Sequence, residues 1–123
     1  MIGASTIQLT GLGVPADLAD LMGADYFLAV GKGITQSGAQ ALVGDNAELS
    51  ASSGQTAFLL PITQQIAEPL FVVNPSATTA LIYAPLATHA LNGSTTVPLS
   101  VVQNKAAIIW QYKPKFWVSI LSN

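Results

Sequence analysis

Hydrophobic residues in this chain recur at every second position, in short runs cut by glycine, proline, asparagine and serine, which is the period of strands. Beyond Gln55 the pattern is β throughout. "TAFLLP" reads as a strand stopped by Pro61, because proline offers no N–H to a ladder. "PLFVVNPSATTALIYAP" reads as a hairpin turning at Asn74-Pro75-Ser76-Ala77: proline pre-sets the bend and asparagine can bond its own backbone. In "ALNGSTTVPLSVV", Asn92-Gly93 is a two-residue turn signal, and Val97, Leu99 and Val101 follow on one face at period two. "KAAIIWQYKPKFWVSIL" predicts two strands flanking a turn near Lys113-Pro114-Lys115. Ile108, Trp110 and Tyr112 then oppose Ala107, Ile109 and Gln111, while Phe116, Val118 and Ile120 oppose Trp117, Ser119 and Leu121. Both faces of this hairpin are largely apolar, which a lone two-layer domain struggles to cover.

Upstream, "YFLAVGKGIT" predicts a strand that breaks at its paired glycines. "AQALVGDNAELSASS" predicts two short strands around the turn Gly44-Asp45-Asn46, and "SASSGQT" a loop. At the start, Ile7 and Leu9 alternate with Thr6, Gln8 and Thr10, as in an arm or edge strand. "GVPADLADLMGAD" predicts a short helix, with Pro15 in the first turn, Asp17 and Asp20 near the positive end, Gly23 at the stop, and Leu18, Leu21 and Met22 forming one apolar stripe. The expected organisation is an N-terminal arm and helix over residues 1–30, serving as anchor or inter-subunit clasp, and a β domain over 31–123. The expected fold is all-β, a compact antiparallel β-sandwich or barrel-like domain with that one helix.

Composition adds the need for a partner surface. Charged residues make up 8% of the 123 positions, about a third of the usual ~25%. None lies between Glu68 and Lys105, where His89 is the one other titratable side chain apart from Tyr83. The apolar runs "AFLLPI", "PLFVV", "ALIYAPLA" and "AAIIW" are each far short of the ~20 residues a spanning helix needs, so no membrane is expected. "MIGASTIQLT" lacks the basic start and continuous apolar core of a secretory signal, and the chain reads as made in the cytosol. Strands with dry residues on both sides then call for sister copies, arranged as a symmetric oligomer around an axis.

Candidate chemistry is sparse. Without cysteine there are no disulfides, thiolate zinc sites or cysteine nucleophiles, and the four basic residues (Lys32, Lys105, Lys113, Lys115) are too few and scattered for nucleic acid. His89 has no second histidine for a metal and no Gly-x-Ser-x-Gly elbow to serve, so it reads as a polar turn residue. Gly31-Lys32-Gly33 lacks the spacing of a phosphate loop, and neither Asp17, Asp20 and Asp25 nor Asp45 with Glu48 follows a calcium-loop pattern. No catalytic, cofactor or metal residue is assigned, and an enzyme is not expected. Trp110, Tyr112, Phe116 and Trp117, set among lysines, are read as oligomer-interface or stacking aromatics. Leu18, Leu21 and Met22 are read as packing inside the chain or as a docking or inter-subunit contact.

From about Gly33 onward the order of features resembles small tailed-bacteriophage virion surface proteins of the head decoration and head-fibre type. The matching pieces are Leu60-Pro61, Asn74 to Ala77, Asn92-Gly93, Lys105-Ala106-Ala107 and Trp117-Val118-Ser119-Ile120-Leu121, while Lys113-Pro114-Lys115 departs from the glycine-rich turns of that group. The resemblance implies a homotrimer on the outer capsid surface, made in the cytoplasm of a host bacterium. It implies that the subunit bridges major capsid proteins and stabilises the shell by mass action. The alternative is a receptor- or glycan-binding domain of a phage fibre or spike.

Overall fold

The computed structural model describes residues 26–122. Ten strands are laid down in chain order: β1 (Tyr26–Val30), β2 (Gln40–Ala41), β3 (Asn46–Ser50), β4 (Ala57–Leu59), β5 (Leu70–Asn74), β6 (Ala80–Tyr83), β7 (Ala90–Leu91), β8 (Leu99–Val101), β9 (Lys105–Lys113) and β10 (Phe116–Leu121). Among the described residues they form a six-stranded sheet in the order β1-β3-β5-β9-β10-β7 and a four-stranded sheet in the order β2-β4-β6-β8. The described residues are all-β apart from one 3₁₀ turn at Gln36–Gly38. The helix expected over Pro15 to Gly23, with Leu18, Leu21 and Met22, lies outside them.

From β1 to β6 the chain alternates between the two sheets, and each strand lies parallel to the strand two earlier. Tyr26 stands opposite Asn46, and Asn46 opposite Phe71, in the larger sheet; Gln40 stands opposite Phe58, and Phe58 opposite Ile82, in the smaller. The path is a solenoid-like coil whose turns stack edge to edge. Antiparallel pairing closes it, with β8 on β6, β9 on β5 and β10 on β9.

This corrects the expected antiparallel sandwich or barrel at a definable place. Asn74-Pro75-Ser76-Ala77 is not a hairpin turn but a corner at which the chain leaves one sheet for the other. Asn74 is fully buried, and its amide Nδ2 donates to the carbonyl oxygens of Thr78 (2.9 Å) and Val101 (2.7 Å). Its Oδ1 accepts from the Ser76 backbone N–H at 3.1 Å and from the Ser76 hydroxyl. A hairpin asparagine bonds only its own turn, whereas this one pins the corner to β8. Gly44-Asp45 is likewise a passage from β2 to β3, which lie in different sheets.

The core lies between the sheets. Ala29, Ala47, Leu49, Leu70, Val72, Ala107, Ile109 and Trp117 face Leu42, Phe58, Leu60, Ala80, Ile82 and Val101. Alanines at many inward positions bring the sheets close, and the two largest fully buried side chains, Trp117 and Phe58, fill what remains. β1, which a boundary at residue 30 would leave with the N-terminal segment, pairs with β3 along its whole length. Val97, expected on a dry face with Leu99 and Val101, is 64% exposed, because β8 begins only at Leu99.

Candidate interaction face

The strand pattern that buries one face of the six-stranded sheet presents apolar side chains on the other. On β9 the inward residues Ala107, Ile109 and Gln111 are buried, and Ala106, Ile108, Trp110 and Tyr112 point away, as the alternation predicts. On β5, Leu70 and Val72 are buried while Phe71 and Val73 are exposed. Cross-strand register aligns these residues in rows. One row runs Asn46, Phe71, Ile108, Ile120 across β3, β5, β9 and β10; the next runs Leu28, Glu48, Val73, Ala106; a third holds Trp110 and Val118. Phe71 is 41% and Ile120 59% exposed, and Leu28 and Val30 continue the apolar surface on β1. Among the described residues Glu48 is the one carboxylate in these rows. At strand spacings of ~4.8 Å and a rise of ~3.3 Å per residue the face measures on the order of 400 Å².

Within it, Phe71, Val73, Ala106, Ile108, Ile120 and Leu121 line an open cleft of about 440 Å³. Asn46 and Ser122 are the polar side chains of its lining, and the Ser122 hydroxyl accepts the Ala106 N–H at 2.9 Å, so the cleft is suited to an apolar group.

Three of the four expected aromatics border this face. Tyr112 and Phe116 are exposed at the β9–β10 turn, with ring centroids 6.2 Å apart, and the Lys113 ammonium lies 4.5 Å from the centre of the Phe116 ring. Trp110 is half-buried in the third row. Trp117 lies elsewhere: it is 1% exposed in the core, and its indole Nε1 donates to His89 Nδ1 at 3.1 Å. A ring so enclosed has no surface to stack on a ligand.

His89 does sit in a turn, its N–H bonded to the Leu86 carbonyl, but it is buried. Burial, and then the Lys115 ammonium, hold its imidazole below the ordinary 6.5, so the neutral form accepts the indole proton at neutral pH. Gly31 and Gly33 serve a corner rather than a phosphate. A Cβ on Gly31 would stand 2.2 Å from the Gln55 carbonyl oxygen, and Gly33 has φ +60°. The other buried polar groups are tied down: the Gln64 amide donates to the Glu68 carbonyl, and Gln111 Oε1 accepts from the Lys115 N–H. Among the described residues no three His, Cys, Asp or Glu gather at metal distance, and no helix is long and apolar enough to cross a membrane.

Compared with protein-family models, with curated proteins and with solved structures, the chain matches none. Its function is therefore read from the face and the fold. Phe71, Val73, Leu28 and Val30 belong to this face and were not singled out from sequence. The available signal was a run such as "LFVV", apolar at both parities, which a half-solvated strand does not need.

Proposed function

We propose that this chain is a structural subunit of a phage virion, a decoration protein that assembles with sister copies and bridges major capsid proteins on the outside of the head. The observation that carries the assembly is the row Phe71–Ile108–Ile120: three large apolar side chains aligned across adjacent strands, at least two of them open to water, in a chain with 8% charge. A patch of about 400 Å² is of the size that marks an interaction site, yet it is about half of what one partner contributes to a standard interface. Neighbouring exposed residues such as Val30 and Tyr112 must therefore join the contact. The virion assignment rests on the resemblance in feature order, and a homotrimer is the assembly it implies. A sheet face has no motion or reactive group to contribute, so its function is mechanical: contact area that exists only in the assembled shell shifts the equilibrium toward that shell.

The test is the mass of the purified protein by sedimentation equilibrium, followed by co-sedimentation with expanded empty heads. Three copies per particle, and heads that survive heating longer with the protein bound, support the reading. A single-chain mass at every concentration, or no association with heads, rejects it.

A second reading has one observation in its favour. The Tyr112–Phe116 pair with Lys113 against the Phe116 ring is an exposed aromatic group at the tip of a hairpin, as a receptor- or glycan-binding fibre domain requires. Glycan binding lost in Tyr112→Ala with the oligomer intact would favour it.

A further inference from the structure

We infer that Asn92 is a self-modification site, converted by its own chain to aspartate and isoaspartate, and that Ser119 holds the conversion back. The reaction begins when the backbone nitrogen of the following residue attacks the asparagine side-chain carbon, so that residue decides its ease. Among the asparagines of the chain Asn92 alone precedes a glycine. Asn74 precedes Pro75, which has no N–H. Asn46 and Asn104 precede Ala47 and Lys105, whose Cβ atoms crowd the attack. Gly93 has no Cβ, and one built on it meets no atom within 4 Å.

The fold sets this pair at a defined joint. Asn92 and Gly93, with φ 52° and 84°, make the turn after β7. It is closed by the Leu91 N–H on the Ser94 carbonyl at 2.8 Å and the Ser94 N–H on the Leu91 carbonyl at 3.1 Å. The Gly93 nitrogen stands outside that pair of bonds. Asn92 also ties the turn to β10. Its backbone N–H donates to the Trp117 carbonyl at 2.9 Å, its Oδ1 accepts the Ser119 N–H at 3.0 Å, and its Nδ2 donates to the Ser119 hydroxyl at 2.8 Å. The strand pairing of β7 with β10 stops at Leu91, and the Asn92 side-chain amide extends it by one step, standing where a further peptide group would. The site is exposed, so water reaches it.

Water is the one co-reactant. The Gly93 nitrogen loses its proton and bonds to Asn92 Cγ, the Cγ–Nδ2 bond breaks, and ammonia leaves a five-membered cyclic imide. Water then opens the ring. Cleavage between Cγ and the Gly93 nitrogen gives aspartate; cleavage of the original peptide bond gives isoaspartate, with the main chain rerouted through the side chain. Attack makes Cγ tetrahedral and pulls Oδ1 and Nδ2 off the Ser119 groups that hold them, so the folded chain slows the step. The products differ in consequence. Aspartate still accepts the Ser119 N–H, and the Ser119 hydroxyl can turn to donate to its other oxygen. Isoaspartate adds a methylene to the main chain, which a two-residue turn does not accommodate, and frees the turn from β10. Either product brings a carboxylate into the stretch from Pro69 to Asn104, which has no Asp, Glu, Lys or Arg.

The full-length protein, kept at mildly alkaline pH, reports the site by peptide mass and by enzymatic methylation of isoaspartate. Conversion is expected in the peptide holding Asn92 before any other, and at least about tenfold slower than in urea, since two hydrogen bonds must be given up. Ser119→Ala should convert about fivefold faster, the worth of one hydrogen bond, while Ser119→Thr keeps the hydroxyl and should convert at the rate of the unaltered chain. In the isoaspartate form the Ala90 amide, which donates to the Lys115 carbonyl, should exchange its hydrogen faster, and in Asn92→Asp it should not. Equal rates in the folded chain and in urea, or first conversion at another asparagine, overturn the proposal. So do equal rates in Ser119→Ala and Ser119→Thr, which would remove the hydroxyl as the restraint, and an Ala90 amide as slow in the isoaspartate form as before.

Discussion

Placing a charge in the exposed row, as in Ile120→Asp, separates folding from assembly. Ile120 keeps 59% of its surface in the single chain. Fully burying an isoleucine contributes about 1.5–3 kcal/mol, so covering that remainder with a neighbouring copy contributes about 1–2 kcal/mol. Aspartate forfeits this and adds the cost of a carboxylate desolvated against Phe71 and Ile108 without a cation. A total of at least about 3 kcal/mol per contact is expected, more than a hundredfold in Kd. Folding of the single chain should change by no more than about 1 kcal/mol, since the side chain is exposed and only strand propensity is lost.

Sedimentation velocity over a wide concentration range reads the assembly, and urea unfolding under dissociating conditions reads the fold. Val97→Asp is the control: equally exposed, but in the β7–β8 connection away from the rows. The expected pattern is a single-chain sedimentation coefficient for Ile120→Asp at concentrations where the unaltered protein and Val97→Asp remain assembled. If Ile120→Asp associates as tightly as the unaltered chain, or if Val97→Asp dissociates equally, the face is not the contact and the argument from Phe71, Ile108 and Ile120 fails.

Asn74→Ala should lower the free energy of unfolding in urea by about 2–3 kcal/mol, because it leaves the carbonyls of Thr78 and Val101 without their amide donor in a buried corner; a loss under 0.5 kcal/mol would show that the corner does not depend on it. Gly31→Ala should cost about 1–3 kcal/mol, since its Cβ meets the Gln55 backbone, whereas Gly38→Ala, with no atom within 4 Å, should be neutral or slightly stabilising by the same assay. Acid should weaken the fold through His89. Its folded pKa lies below the unfolded 6.5, so its contribution is complete above 6.5 and is lost as the pH falls from there through the folded value. In His89→Gln the drop in thermal midpoint on acidification below 6.5 should be smaller, and an unchanged drop would remove His89 as its source.

Strand positions and their inward or outward parity were legible because period two is a local signal. Ala107, Ile109 and Gln111 are buried as the alternation requires, and Asn92-Gly93 makes the two-residue turn with both φ positive, at 52° and 84°. Pairing was legible for the β9–β10 hairpin, which is antiparallel as expected, and not for the stacked parallel strands before it. The residues that make a tight hairpin turn also make a coil corner, and at Asn74 the difference lies in a hydrogen bond to Val101, 27 residues away. The same distance problem hid the Trp117–His89 contact: the sequence put Trp117 opposite Phe116 but not which of the two faced the second sheet.

The charge-free stretch from Pro69 to Asn104 is thereby divided into parts with different causes. Leu70, Val72, Asn74, Ala80, Ile82, Ala84, His89, Ala90, Leu91 and Val101 are buried, where an unpaired charge is excluded on energetic grounds. The exposed corners and loops carry Leu86, Val97 and Val102 among uncharged polar groups, Thr88, Asn92, Thr95, Thr96, Gln103 and Asn104, so hydroxyls and amides stand there in place of lysine and glutamate. What remains among the strands is Phe71 and Val73, at outward positions where a charge would cost the single chain little. Sister copies are therefore not required to explain the low charge of the whole stretch. On the proposed reading their place is one sheet face, and the need for them is decided at that face.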